Sequence, residues 1–115
     1  MFDIKEEKGI IIVKPNFNIE IENLDELKNL KEEIQNYISD KEEPKVILDF
    51  ENVSYVDSTG LGNIIRIFEI IKKKKGTLAA VNLNVDVEKI FNITTLDTLI
   101  KVYPTLEDAI NELRG

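Results

Sequence analysis

The apolar positions of the chain fall into two alternating periods. Phe2 and Ile4 sit apart within an otherwise charged opening, and Ile10-Ile11-Ile12-Val13 is an unbroken β-branched run. The first predicts a short strand, the second a strand covered on both faces. Glu6-Glu7-Lys8-Gly9 between them reads as a turn, with glycine supplying the permissive backbone. Pro15-Asn16 ends the second strand. Phe17 to Glu22 then alternates apolar and polar residues, which fits a short strand or an extended loop.

The period changes after Asn23. Leu24, Leu27, Leu30, Ile34 and Ile38 form one helical stripe. Asn23 is a suitable cap, Asp25 and Glu26 favour the positive helix end, and Glu26 holds the capping-box position. Ser39 to Pro44 closes this helix, and Lys45 to Phe50 predicts a buried central strand. A second helix runs from about Thr59 to Lys75, with Leu61, Ile64, Ile65, Phe68 and Ile71 as its core stripe. Lys72 to Lys75 complement its negative end and Gly76 terminates it. Thr77 to Val81 predicts a strand with a close-packed alanine face. Val85 to Phe91 predicts a short helix capped by Asn84, and Leu99 to Tyr103 a last strand. Thr105 and Asp108 open a final helix whose inner face is Leu106, Ala109, Ile110 and Leu113. Alternating strands and helices imply parallel pairing, and the opening hairpin adds an antiparallel strand. The expected fold is one α/β domain over residues 1–115, with a mixed, mostly parallel sheet of four to five strands and about four helices.

Composition narrows the chemistry. The 115 residues include no cysteine and no histidine. Disulfides, thiolate metal sites, cysteine nucleophiles and every Ser-His-Asp triad are excluded. A formal net charge of -7 argues against general nucleic-acid binding and against attraction to an anionic membrane. The longest apolar run is four residues, far short of a membrane span, and the acidic start lacks a signal-peptide core. A cytoplasmic protein is expected, with no cofactor, no metal, no direct nucleic-acid contact and no membrane contact.

One segment stands out: Asp57-Ser58-Thr59-Gly60-Leu61-Gly62, where a strand gives way to a helix. Asp, Ser and Thr are ordinary helix caps. Two glycines in the first turn are not, since each costs about 1 kcal/mol relative to alanine. They suggest a close approach to the backbone. No phosphate-loop or dinucleotide pattern is present, the aspartic-protease triplet is interrupted by Thr59, and no lysine is placed to serve Ser58 as a base. A phosphate on Ser58 would be tolerated by the helix dipole, so its effect would fall on whatever docks there. On a helical wheel Thr59, Asn63, Arg66 and Ile70 lie opposite the core stripe, with Ile67 beside them. These residues are the expected docking face. A helix buried on both sides is the alternative.

Val46-Ile47-Leu48-Asp49-Phe50, followed by Val53-Ser54-Tyr55-Val56-Asp57-Ser58-Thr59-Gly60-Leu61-Gly62, resembles the signature of the STAS family, and within it the bacterial anti-sigma factor antagonists. The resemblance implies helices packed mainly on one side of the sheet and a binding protein instead of an enzyme. It implies that the unmodified protein binds an anti-sigma factor that is also a serine kinase, releasing the sigma factor. Phosphorylation at Ser58 would weaken that complex, and a metal-dependent Ser/Thr phosphatase would reverse it. Asp57 would position Ser58 or contact the kinase, and Gly60 and Gly62 would admit the partner. One departure stands in Pro15-Asn16-Phe17-Asn18, where the family pattern has glycine and aspartate in place of Pro15 and Asn18. Asn18 keeps hydrogen-bonding capacity without the charge, which either weakens the kinase contact or marks a different partner. A STAS adaptor that is never phosphorylated, and a small-ligand or nucleotide binder using the amides of residues 58–62, are the competing readings.

Overall fold

The computed structural model describes residues 1–114. Strands β1 (Phe2–Glu7) and β2 (Ile10–Pro15) form a hairpin. Its two-residue turn places both Lys8 and Gly9 at positive φ, as a tight hairpin with matching twist requires. Strands β3 (Lys45–Asp49), β4 (Thr77–Val81) and β5 (Lys101–Tyr103) add in parallel, so the sheet order is β1-β2-β3-β4-β5. Helices α1 (Leu24–Ile38), α2 (Ser58–Lys73), α3 (Val85–Ile93) and α4 (Leu106–Arg114) connect or follow them.

The two faces of the sheet explain the unbroken apolar runs. On one face Ile11, Val13, Val46, Leu48, Leu78 and Ala80 pack in a single cluster with buried residues of α1, α2 and α3. On the other, Ile10, Ile12, Ile47, Ala79 and Val81 meet Ala109, Ile110 and Leu113 of α4. Side chains alternate along a strand, so covering both faces demands consecutive apolar residues. Three helices therefore share one side and α4 alone takes the other. Edge strand β1 covers its inner face with Phe2 and Ile4 and turns charge outward, which suits an unpaired edge.

One open reading is settled and two local expectations change. Phe17 to Glu20 is an extended loop with a single parallel bridge, Ile19 to Val56, before a 3-10 turn over Ile21–Asn23. Leu24 does not join the α1 stripe but is 48% exposed, while Leu27, Leu30, Ile34 and Ile38 are buried. Asn23 occupies the α1 cap position without a side-chain cap bond, because its amide donates to the Asn18 carbonyl at 2.7 Å. At the other helices the caps form as the residue types dictate: Asn84 accepts from Val87 N–H at 2.8 Å, and Thr105 Oγ1 from Asp108 N–H at 3.1 Å.

Candidate functional site

The site grows from the segment between β3 and α2. The chain leaves β3 at Asp49, whose carboxylate is 4% exposed and accepts from Glu51 N–H and Asn82 Nδ2, each at 3.0 Å. Phe50, Val53 and Val56 are buried and hold the following segment against the core. Its outer side is strapped to the loop after β2. Asn52 Nδ2 donates to Asn16 Oδ1 at 2.7 Å. Asn18 Oδ1 accepts from Ser54 N–H at 2.9 Å, Ser54 Oγ at 3.0 Å and Tyr55 N–H at 3.3 Å. Ile19 N–H donates to the Tyr55 carbonyl at 3.1 Å, and Asp57 N–H to the Ile19 carbonyl at 3.2 Å.

Asp57 is the helix cap and ties the same two segments together. One carboxylate oxygen accepts from Gly60 N–H at 2.7 Å, the other from Ile21 N–H at 2.9 Å. The Ile21 amide first, then the Gly60 amide, hold the Asp57 carboxyl below the ordinary aspartate range. Leu61 N–H is also used, donating to the Asp57 carbonyl at 2.8 Å. An anion at this helix start would have to displace the side chain that already fills the position, which speaks against the small-ligand reading.

Ser58 is the first residue of α2 and is exposed. Its hydroxyl makes no hydrogen bond among the described residues. No group of potential metal-ligating side chains forms among the described residues.

The docking face needs correction. The helical wheel turns Asn63 and Ile67 toward solvent, but they are 7% and 2% exposed. Asn63 spends its amide on the Thr59 carbonyl at 2.8 Å. Ile70 is half-buried against the core, and Thr59 is half-buried. Of the expected set, Ser58, Gly62 and Arg66 are exposed. The buried positions of α2 are Gly60, Asn63, Ile64, Ile67 and Ile71, displaced by about one residue from the expected stripe. The cause is α1, which packs along one flank of α2 and adds a second buried side to the one facing the sheet. The outward face is therefore Ser58, Gly62, Ile65, Arg66 and Glu69, at helical spacing.

The two glycines also separate. A Cβ on Gly60 would lie 1.7 Å from the Ile19 carbonyl oxygen, so its bareness serves the fold's own strap. A Cβ on Gly62 would meet nothing within 4 Å. Gly62 therefore answers to no close contact within the described residues. Beside this face stand Ile21 and Tyr55, exposed apolar residues that sequence reasoning missed, while Ile65, expected in the core stripe, lies on the face itself at 36% exposure. The sequence carried no signal for Tyr55, since strict alternation would place it on the same side as the buried Val53.

The STAS domain profile matches residues 1–109, and the chain belongs to that family. A Thermotoga neapolitana protein named as a candidate anti-sigma factor antagonist is 33% identical over 115 residues, covering 100% of this chain and 99% of the relative. The crystal structure of a candidate anti-sigma factor antagonist from Thermotoga maritima superimposes with a TM-score of 0.78 at 29% identity, covering 99% and 95% of the two chains. The phosphorylated form of the Bacillus cell fate determinant SpoIIAA shares the fold at 17% identity, with a TM-score of 0.73 and coverage of 98% and 99%.

Proposed function

We propose that this protein is an anti-sigma factor antagonist acting as a phosphorylation-switched binding module. In its unmodified form it docks the Ser58–Gly62–Ile65–Arg66 face of α2 onto an anti-sigma factor that is also a serine kinase, and the sigma factor is released. Phosphoryl transfer from ATP to Ser58 Oγ, with loss of the hydroxyl proton and release of ADP, weakens the complex. A Ser/Thr phosphatase restores the hydroxyl. The protein contributes a surface and an acceptor, and carries out no catalysis itself.

The observation that carries this reading is the state of Ser58. It is exposed, its hydroxyl is uncommitted, and it opens the outward face of α2 beside the open position at Gly62. A phosphate adds roughly two negative charges at that point. The helix dipole tolerates them, so the fold survives. A partner docked over Ser58 would have to bury them. The names of the full-length relatives support the antagonist role, and the phosphorylated state of a shared-fold protein supports the switch.

Asn18 does not favour the adaptor reading. Its Oδ1 serves as an acceptor for the Ser54–Tyr55 turn, a task that aspartate would perform equally, so the departure belongs to the strap. The test is paired capture from native lysate with wild type and Ser58→Asp as baits, in the presence of ATP. Wild type is expected to retain a protein with ATP-dependent serine kinase activity that Ser58→Asp loses. Equal capture by both baits overturns the switch.

A further inference from the structure

The chain is acidic, with a formal net charge of -7, yet one groove reverses that sign. Helices α1 and α2 flank a space of about 860 Å³ lined by Lys28, Lys31, Arg66, Lys72 and Lys73. Only two carboxylates, Glu32 and Glu69, share it. Phe68 and Ile70, half-buried against the core, supply its apolar part.

Helix electrostatics explain only part of this charge. Lys72 and Lys73 lie in the last turn of α2, where cations oppose the dipole. Lys28 and Lys31 lie in the first half of α1, and Arg66 in the middle of α2, where the dipole gives no reason for a cation. None of the five is an ion-pair partner among the described residues. Among the described residues the ion pairs fall elsewhere, at Met1–Glu26, Lys14–Glu51 and Lys41–Glu6.

The spacing of the cations selects the occupant. Arg66 and Lys73 stand seven positions apart on α2, about 10 Å along the axis. Lys28 and Lys31 run along the opposite wall. The charged residues are spaced along two helices, two on α1 and three on α2. The groove also lies along helix flanks, away from the backbone amides that make a compact phosphate cradle. A chain of spaced carboxylates matches this layout better than a single polyanionic headgroup does. We infer that the α1–α2 groove docks a short acidic peptide segment of a partner protein, with an apolar side chain of that segment resting on Phe68 and Ile70. The inference rests on the charge and shape of the groove and not on the Ser58 switch, although Arg66 borders both surfaces.

The test is a backbone-amide NMR titration of the full chain with a synthetic peptide of glutamates interspersed with leucine. Parallel titrations use the same peptide with glutamine for glutamate, and ATP as a compact polyanion. Saturable shifts are expected along α1 from Lys28 to Gln35 and along α2 from Arg66 to Lys73. They should weaken as salt is raised. The variant Lys28→Gln/Lys31→Gln/Lys73→Gln should bind about tenfold more weakly, since three charge pairs are lost. Its unchanged spectrum elsewhere shows that it folds. An equal response from the variant or to the glutamine peptide overturns the inference. So does silence with the acidic peptide, or a groove response to ATP alone. Shifts confined to the Ser58–Ile65 face would also overturn it while leaving the switch intact.

Discussion

A β-carbon at Gly60 would sit 1.7 Å from the carbonyl oxygen of Ile19, whereas one at Gly62, half a turn further along the same helix, would touch nothing. The carbonyl at Ile19 is fixed by its bond from Asp57 N–H, so the backbone there has no room to retreat. Gly60→Ala is expected to destabilise the fold by about 1–3 kcal/mol, the usual cost of overpacking. Gly62→Ala is expected to stabilise it by about 0.5–1 kcal/mol through helix propensity, while lowering affinity for a partner seated on that face. Denaturant unfolding of the two variants checks the first pair of signs. Stabilisation by Gly60→Ala would show that the strap yields.

Asp57 predicts an acid-sensitive strap. Its carboxyl titrates below the ordinary aspartate range because the Ile21 and Gly60 amides bond the charged form. A depressed pKa contributes stability above the unfolded-state value, and that contribution is lost as pH falls through the folded value. The loss therefore falls below about pH 4. The amide shifts of Ile21 and Gly60 should titrate together there, and Asp57→Asn should remove the transition from both. Separate midpoints, or a midpoint above the normal aspartate value, would contradict the shared carboxylate.

Asn18 predicts a separation of shape from charge. Asn18→Ala removes the acceptor for Ser54 and Tyr55 N–H and is expected to cost about 1 kcal/mol. Amide exchange should quicken at both residues. Asn18→Asp keeps the acceptor and is expected to stay within about 0.5 kcal/mol of wild type at neutral pH. A large loss in Asn18→Asp would mean that the amide group is needed as a donor.

The orientation of α2 is testable by truncation. Ile67 is 2% exposed and Ile65 36%. Ile67→Ala is expected to cost about 2–5 kcal/mol, as cavity-forming substitutions do. Ile65→Ala should cost well under 1 kcal/mol. Thermal unfolding of both variants decides between this orientation and the simple wheel.

That reversal marks where sequence reasoning stops. The β-branched run at Ile10–Val13 and the stripe Leu27–Leu30–Ile34–Ile38 declare their elements because each buries a face with its own period. The Asp57–Gly62 turn is legible because cap residues and glycines are punctuation. The rotation of α2 is not legible, since a wheel assumes one buried side and α1 adds another. Gly60's purpose is hidden as well, because the carbonyl it accommodates lies 41 residues earlier in the chain. Asn18 looked like a partner contact for the same reason: its acceptors' partners, Ser54 and Tyr55, are distant in sequence and adjacent only in the fold.

The central claim is that charge at Ser58 controls docking, and titration calorimetry with the purified anti-sigma factor tests it most directly. The partner would be titrated with wild type, Ser58→Ala and Ser58→Asp. Wild type and Ser58→Ala should bind alike, and Ser58→Asp should lose at least about tenfold in affinity, or roughly 1.4 kcal/mol. Equal affinity for all three would place Ser58 outside the interface and contradict the switch.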